Sequence, residues 1–223
     1  INERFHREGL ATKALELLLS KDESSSKEWS EIINTYNNQR RELDSAITEE
    51  AVKMVSEDAD SKKSTVVFQK DWHKGVVGIV ASRLIESYYK PTIVLCGNDG
   101  MATGSARSVK GFDVHDAIEQ CADLLEQFGG HKYAAGLSLK VENVEAFRKR
   151  FEEVVSNKIT KEQQTREIGI DGTLTTEDIK PSKQGDVFPK LYRLIEQFAP
   201  FGPGNMKPTF IMKDLYDKKG WSR

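Results

Sequence analysis

From Trp29 to Val55 the apolar residues return every three or four positions: Trp29, Ile32, Ile33, Tyr36, Leu43, Ile47, Ala51, Met54 and Val55. That period puts one apolar stripe on an α-helix. No glycine or proline interrupts Lys27 to Glu57. The spacing therefore predicts a single helix of roughly 30 residues, a rod of about 45 Å. Ser26 is placed as its N-cap, with Glu28 in the first turn. A stripe so narrow suits a connector between two lobes, and a coiled-coil arm is the alternative. Ahead of it, Ala11 to Leu19 predicts a short helix with Leu15, Leu18 and Leu19 on one side, followed by a polar break from Lys21 to Ser26.

At Thr65 the period changes. Thr65–Gln69 is a β-branched run and predicts a strand. A helix is expected over Gly75–Tyr89, ending before Pro91, then a strand over Thr92–Cys96. Gly97-Asn98-Asp99-Gly100 is a turn, and Met101–Arg107 returns as a strand. Asp113 is expected to cap a helix running to about Phe128. Tyr133–Leu139 predicts a strand and Val144–Asn157 a helix. Strands alternating with helices over 65–157 predict an α/β domain with a mixed sheet. Lys158–Arg166 reads as a linker. Glu167–Leu174 (strand), Phe188–Phe198 (helix) and Pro208–Leu215 (strand) then begin a further domain without finishing it. The chain opens at Ile1 and stops at Gly220-Trp221-Ser222-Arg223 straight after a strand-like stretch, so both ends read as cut.

Composition narrows the classes. The 223 residues carry 33 Lys and Arg against 35 Asp and Glu, a formal charge of −2. Global electrostatics thus give no reason to expect a nucleic-acid partner, and any such site must be a local basic patch. Cys96 and Cys121 stand far apart among apolar neighbours, which predicts buried free thiols in a reducing compartment. No run approaches the roughly 18 apolar residues of a membrane span, and no signal-peptide pattern is visible. A cytoplasmic, monomeric protein with no membrane partner is expected.

Among candidate chemistries, catalysis finds little support. His6, His73, His115 and His131 form no HxxxH, HxH or HxD pair. Asp113-Val114-His115-Asp116 is the nearest to a metal cluster, but its aspartates are better explained as cap and dipole complement of a helix start. No Ser-His-Asp or Cys-His nucleophile pattern stands out.

Phosphate-binding chemistry has better candidates. Gly104-Ser105-Ala106-Arg107-Ser108 offers two hydroxyls and a guanidinium that can grip phosphate oxygens, or else a turn with a surface arginine. Gly129-Gly130-His131 could present backbone N–H groups and an imidazole to an anion, or form a helix C-cap and turn. His73-Lys74-Gly75-Val76-Val77-Gly78 leads into a helix whose N-terminus attracts anions, while Gly78, Ala81 and Ser82 suit close packing on the sheet. Phe201-Gly202-Pro203-Gly204-Asn205 could stack a base or simply turn the chain at a domain junction.

In order, the stretches Trp72–Leu84, Gly104–Ser108 with Phe112-Asp113, Phe128–His131, Ala134–Leu137 and Phe198–Asn205 resemble the signatures of the RecJ exonuclease family over about residues 65–210. The resemblance implies an N-terminal DHH lobe binding two Mn²⁺ or Mg²⁺ ions, a long helix, a DHH-associated lobe closing over single-stranded DNA, and an OB-fold. It implies three parts here: 1–62 as the end of the DHH lobe plus connector, 63–160 as the DHH-associated domain, and 161–223 as the truncated start of the OB-fold.

By position, Ser105 and Arg107 look like the phosphate-gripping pair, with Ser108 beside them. Gly129, Gly130 and His131 look like the Gly-Gly-His substrate loop, with His131 supporting catalysis opposite the metals. His73 and Lys74 are possible further contacts. No metal is expected in this chain, because the DHH lobe that would hold it is missing. Arg4 and Arg7 depart from the family's usual start, and neither is given a role. The parent implied is a 5′→3′ single-stranded DNA exonuclease of repair and recombination, inactive as this piece alone. Rival readings are a DHH phosphodiesterase acting on short oligonucleotides or cyclic dinucleotides, and a non-catalytic helical scaffold that dimerises.

Overall fold

The structure, a computed structural model, describes residues 10–56, 61–181 and 187–215. Ile1, Asn2, Arg4, His6, Arg7 and the closing Gly220–Arg223 lie outside the described residues. The chain divides into two compact units, 1–166 and 167–223.

The first unit opens with α1 (Leu10–Leu19) and the long α2 (Glu23–Ser56). The sheet elements and their helices follow: β1 (Thr65–Gln69), α3 (Val77–Tyr88), β2 (Thr92–Asn98), β3 (Met101–Arg107), α4 (Val114–Glu119), β4 (Gln127–His131), β5 (Ala134–Lys140) and α5 (Val144–Lys158). The five strands form one mixed sheet in the order β1-β2-β3-β5-β4. Only β1–β2 is parallel, joined by the crossover through α3; the other pairs are antiparallel. The predicted α/β class, with a long helix followed by a mixed sheet, is the fold observed.

Two boundaries in the first unit differ from expectation by a helical turn or more. The long helix begins at Glu23, because Asp22 rather than Ser26 caps it: the Ser25 N–H donates to Asp22 Oδ2 at 2.8 Å. The helix expected from Asp113 to Phe128 ends at Glu119. Asp113 does cap it, accepting from the Asp116 N–H. Beyond it the N–H groups of Cys121, Leu124 and Leu125 bond three residues back in tight turns, and Gln127–His131 joins the sheet as an edge strand. Leu124, Leu125 and Phe128 keep helical spacing, yet their apolar contacts are made against the sheet's core. Tertiary pairing with β5 overrides the local period.

The sheet has two unlike faces. On one, Ile93, Leu95, Ala106, Leu137 and Leu139 pack against Ile118 of α4 and Phe147 and Phe151 of α5. The two phenylalanine rings stack with centroids 5.8 Å apart, and burying each contributes roughly 1.5–3 kcal/mol. On the other face, the end of α2 covers the β1 side and α3 covers β2 and reaches over β3. Val67, Val94 and Cys96 meet Val77, Val80, Ala81 and Leu84 of α3 and Ile47, Ala51 and Val55 of α2.

Side-chain hydrogen bonds fix α2 to this layer. Glu50 accepts from Trp72 Nε1 at 2.7 Å and from Gln69 Nε2 at 3.1 Å. Arg83 of α3 donates to Asp44 at 2.6 Å, where the Asp44 side chain is 1% exposed. A carboxylate that buried is stable only with such a partner.

Both cysteines are buried free thiols, as predicted. Burial pushes the Cys121 thiol up to about 11. Burial also raises Cys96, with the Lys74 charge opposing.

Glu152 of α5 holds the start of β1. Burial alone would raise its carboxyl. The bonds it accepts from the Lys63 and Ser64 N–H groups and the Ser64 and Ser156 hydroxyls outweigh that and hold it below its ordinary value. A depressed folded-state value adds stability that is present above the unfolded value and lost as pH falls through the folded one. Urea melts from pH 7 down to pH 3 should therefore show the native chain losing stability below about pH 4.5. Glu152→Ala should lower stability by about 1–3 kcal/mol at pH 7 and flatten that acid limb.

The second unit contains β6 (Gly172–Thr173), α6 (Lys190–Glu196) and β7 (Phe210–Ile211), with β6 and β7 paired in parallel. Both strands are shorter than their apolar patterns suggested. Asn205 Nδ2 donates to the carbonyls of Phe198 and Pro200, at 2.8 and 2.9 Å, and so closes the Phe198–Asn205 stretch on itself.

Candidate nucleic-acid interface

Beyond α3 the second face continues from β3, which the helix partly covers, onto β5 and β4, which are open. Residues opposite each other in a ladder project to the same side. Register therefore fixes three rows. Arg107 faces Ala134, which faces His131. Ser105 faces Gly136, which faces Gly129. Thr103 faces Ser138, which faces Gln127. Arg107 and His131 thus share one face, two strand spacings or about 10 Å apart. Arg107 closes the strand expected over Met101–Arg107, whereas His131 lies on an edge strand and not in the connecting turn its pattern suggested.

The floor between them is small and polar, and Gly129, Gly136 and His131 are exposed. A methyl group added at Gly129 would touch nothing within 4 Å, and at Gly136 only the Gly104 carbonyl at 3.9 Å. Gly130 is different: its φ is +148°, and a methyl there would lie 2.4 Å from the Ala134 carbonyl. Gly104 is also filled by its own surroundings, with the Val94 carbonyl 2.0 Å from an added methyl. Gly104 and Gly130 therefore serve the fold, whereas Gly129 and Gly136 leave room above the sheet.

Arg107 is half-buried and held in place. Its Nη1 donates to Ser105 Oγ at 2.7 Å and to the Ala106 carbonyl at 2.8 Å, both neutral oxygens. A methyl added at Gly78 would lie 2.9 Å from Arg107 Nη2 and 3.3 Å from Ser105 Oγ. The guanidinium thus sits against the first turn of α3, which starts from Val76 with no side-chain cap. Two positive poles, a guanidinium and a helix N-terminus, meet at one place. That arrangement is unfavourable by itself and becomes favourable around an anion.

The other sequence candidates divide. Ser108 follows β3, and its hydroxyl donates to the Phe112 carbonyl at 2.9 Å, which ties its proton into the β3–α4 loop. His73 Nδ1 accepts from the Gly75 N–H at 3.1 Å and shapes the turn before α3. Burial holds the His73 imidazole below its usual value. Lys74 is exposed and close enough to act on the Cys96 thiol. Gly78 was legible as a packing glycine, but not as the neighbour of the guanidinium. Thr103, Ser138 and Gln127 were missed, although alternation of small and polar residues along β3 and β5 marks an uncovered face. Among the described residues, no group of three or more His, Cys, Asp or Glu could hold a metal ion. No described helix is long and apolar enough to cross a membrane.

The DHHA1 domain family model matches residues 48–157, the stretch from the end of α2 through α5. The chain is 35% identical over 206 residues to the single-stranded-DNA-specific exonuclease RecJ of Bacillus subtilis, covering 92% of this chain and 25% of that protein. The chain belongs to the RecJ family. The RecJ of Haemophilus influenzae is 30% identical across 88% of this chain and 34% of its own length. The crystal structure of RecJ in complex with Mn²⁺ from Thermus thermophilus superposes with a TM-score of 0.76 at 28% identity, over 93% of this chain and 29% of that one. This RecJ-family chain thus spans about a quarter to a third of the length of the relatives it matches.

Proposed function

We propose that the open half of the sheet face grips the backbone of single-stranded DNA, and that this chain is the substrate-binding part of a 5′→3′ single-stranded DNA exonuclease. The observation that carries this is the cradle of Arg107, Ser105 and the uncapped start of α3, in register with the exposed Gly129-Gly130-His131 strand. In this reading a backbone phosphate lies on Arg107 and Ser105, and His131 faces the phosphate that is cut. Gly129 and Gly136 let the strand approach the floor, Gly130 holds the backbone that carries Gly129 and His131, Ser108 shapes the adjoining loop, and Lys74 with His73 meets the strand further along. The neutral overall charge agrees with a grip confined to one patch.

Relatives crystallised as RecJ with Mn²⁺ and with Mg²⁺ support a metal-dependent parent. No group of three or more His, Cys, Asp or Glu among the described residues could hold such an ion, and in this reading metal-assisted hydrolysis belongs to a DHH lobe of the whole protein. The second unit reads as the start of an OB-type domain. A monomeric, cytoplasmic protein of DNA repair and recombination fits this role.

In the complete enzyme, His131→Ala should lower kcat about 10²–10³-fold with little change in KM, as for loss of one group that stabilises developing charge. Steady-state digestion of a labelled single strand checks this, and unchanged turnover removes His131 from the mechanism. Titrating this chain with oligonucleotides during sedimentation separates the rivals: a tight dimer indifferent to DNA points to a scaffold.

A further inference from the structure

The hairpin turn between β4 and β5 consists of Lys132 and Tyr133, and this pair has no part in the reading above. Two-residue turns of this kind favour Asn, Asp and Gly, yet here the tip carries an aromatic ring that is 50% exposed. Its position is fixed from both sides. The Ser108 N–H donates to the Tyr133 carbonyl at 3.1 Å, and the Val114 N–H donates to the Lys132 carbonyl at 2.9 Å. Lys132 Nζ lies 5.7 Å from the centroid of the Tyr133 ring, in cation–π range. Tyr133 directly precedes Ala134, the residue that sits between Arg107 and His131 in the first row.

We propose that Tyr133 is a stacking platform for a nucleobase of the strand whose phosphates lie on Arg107 and His131, with Lys132 balancing the charge of that nucleotide's backbone. This rests on the phosphate-gripping reading of the same site. An anchored ring with free surface loses little entropy on binding, and every base offers it a π-face whatever the sequence. Because the ring belongs to the turn and not to the ladder, its loss leaves the sheet pairing and Arg107 untouched. Phosphate contacts alone accept any polyanion of the right spacing; a ring beside them adds a demand for unstacked bases, which a duplex does not meet.

The test is fluorescence anisotropy of this chain against a labelled oligo-dT and an abasic oligonucleotide of equal length, with circular dichroism confirming the fold of each variant. Tyr133→Ala should weaken oligo-dT binding roughly five- to a hundredfold and leave abasic binding unchanged, while Tyr133→Phe should bind as the native chain does. Equal weakening on both oligonucleotides, or none on oligo-dT while Arg107→Ala still binds poorly, overturns the stacking role alone. If Arg107→Ala also binds as the native chain does, the phosphate-gripping reading falls and the stacking role with it.

Discussion

Arg107→Ala is expected to weaken single-stranded DNA binding by roughly ten- to a hundredfold, while the chain melts within about 1 °C of the native protein. The size follows from losing charge-assisted hydrogen bonds to one phosphate, each worth about 1.5–3 kcal/mol. Stability should be spared because the guanidinium sits at the rim of the sheet, and its removal separates it from the positive end of α3. The salt dependence carries the sharper signature. For a single strand, losing one phosphate contact should make the slope of log Kd against log salt shallower by about 0.7. Titrations at several potassium chloride concentrations measure it. Weakening with an unchanged slope would mean that Arg107 holds the floor in shape without touching phosphate. Arg107→Lys should recover part of the affinity but less than the whole, since an ammonium cannot make the paired contacts of a planar fork.

The adjacent glycines should respond in opposite ways to the same methyl group. Gly130→Ala forces an L side chain into a φ of +148° and into the Ala134 carbonyl. The backbone conformation alone should cost about 1–3 kcal/mol, with the steric overlap added to it. Thermal melts should show a clear loss, and the β4 edge should lose amide-exchange protection first. Gly129→Ala meets nothing within 4 Å and should leave the melt where it was. In the complete enzyme it should instead raise KM or the oligonucleotide Kd by about tenfold, since the methyl occupies the space where a backbone would lie, at a cost on the order of 1–3 kcal/mol. If Gly129→Ala binds and turns over normally, the floor is not approached closely there, and the glycine needs another reason.

The sequence made some of this legible and hid the rest for identifiable reasons. The long helix, the change of period at Thr65 and the α/β order followed from spacing, because amphipathic stripes depend on local pattern. The α4–β4 region did not. Leu124, Leu125 and Phe128 keep a helical interval, yet the first two end in a tight turn and only Phe128 enters the edge strand, drawn there by pairing with β5, a contact that the interval cannot express. The start of α2 lies one turn ahead of the place its pattern suggests: both Asp22 and Ser26 are good caps, and only the backbone decides between them. Within the candidate site, Arg107, Ser105 and His131 stood out as residue types. Their sharing of one face depends on register. Gly78 could be read as small, but not as small because a guanidinium lies against it.

The clasp between α2 and the sheet layer has a mechanical corollary. Glu50 on Trp72 and Asp44 on Arg83 tie the long rod to the turn before α3 and to its middle, and the first turn of α3 bears on Arg107. A tilt of that rod would therefore press on the helix against which the guanidinium lies. If the Arg107 site takes an anion, tilting the rod should therefore alter how tightly it is held.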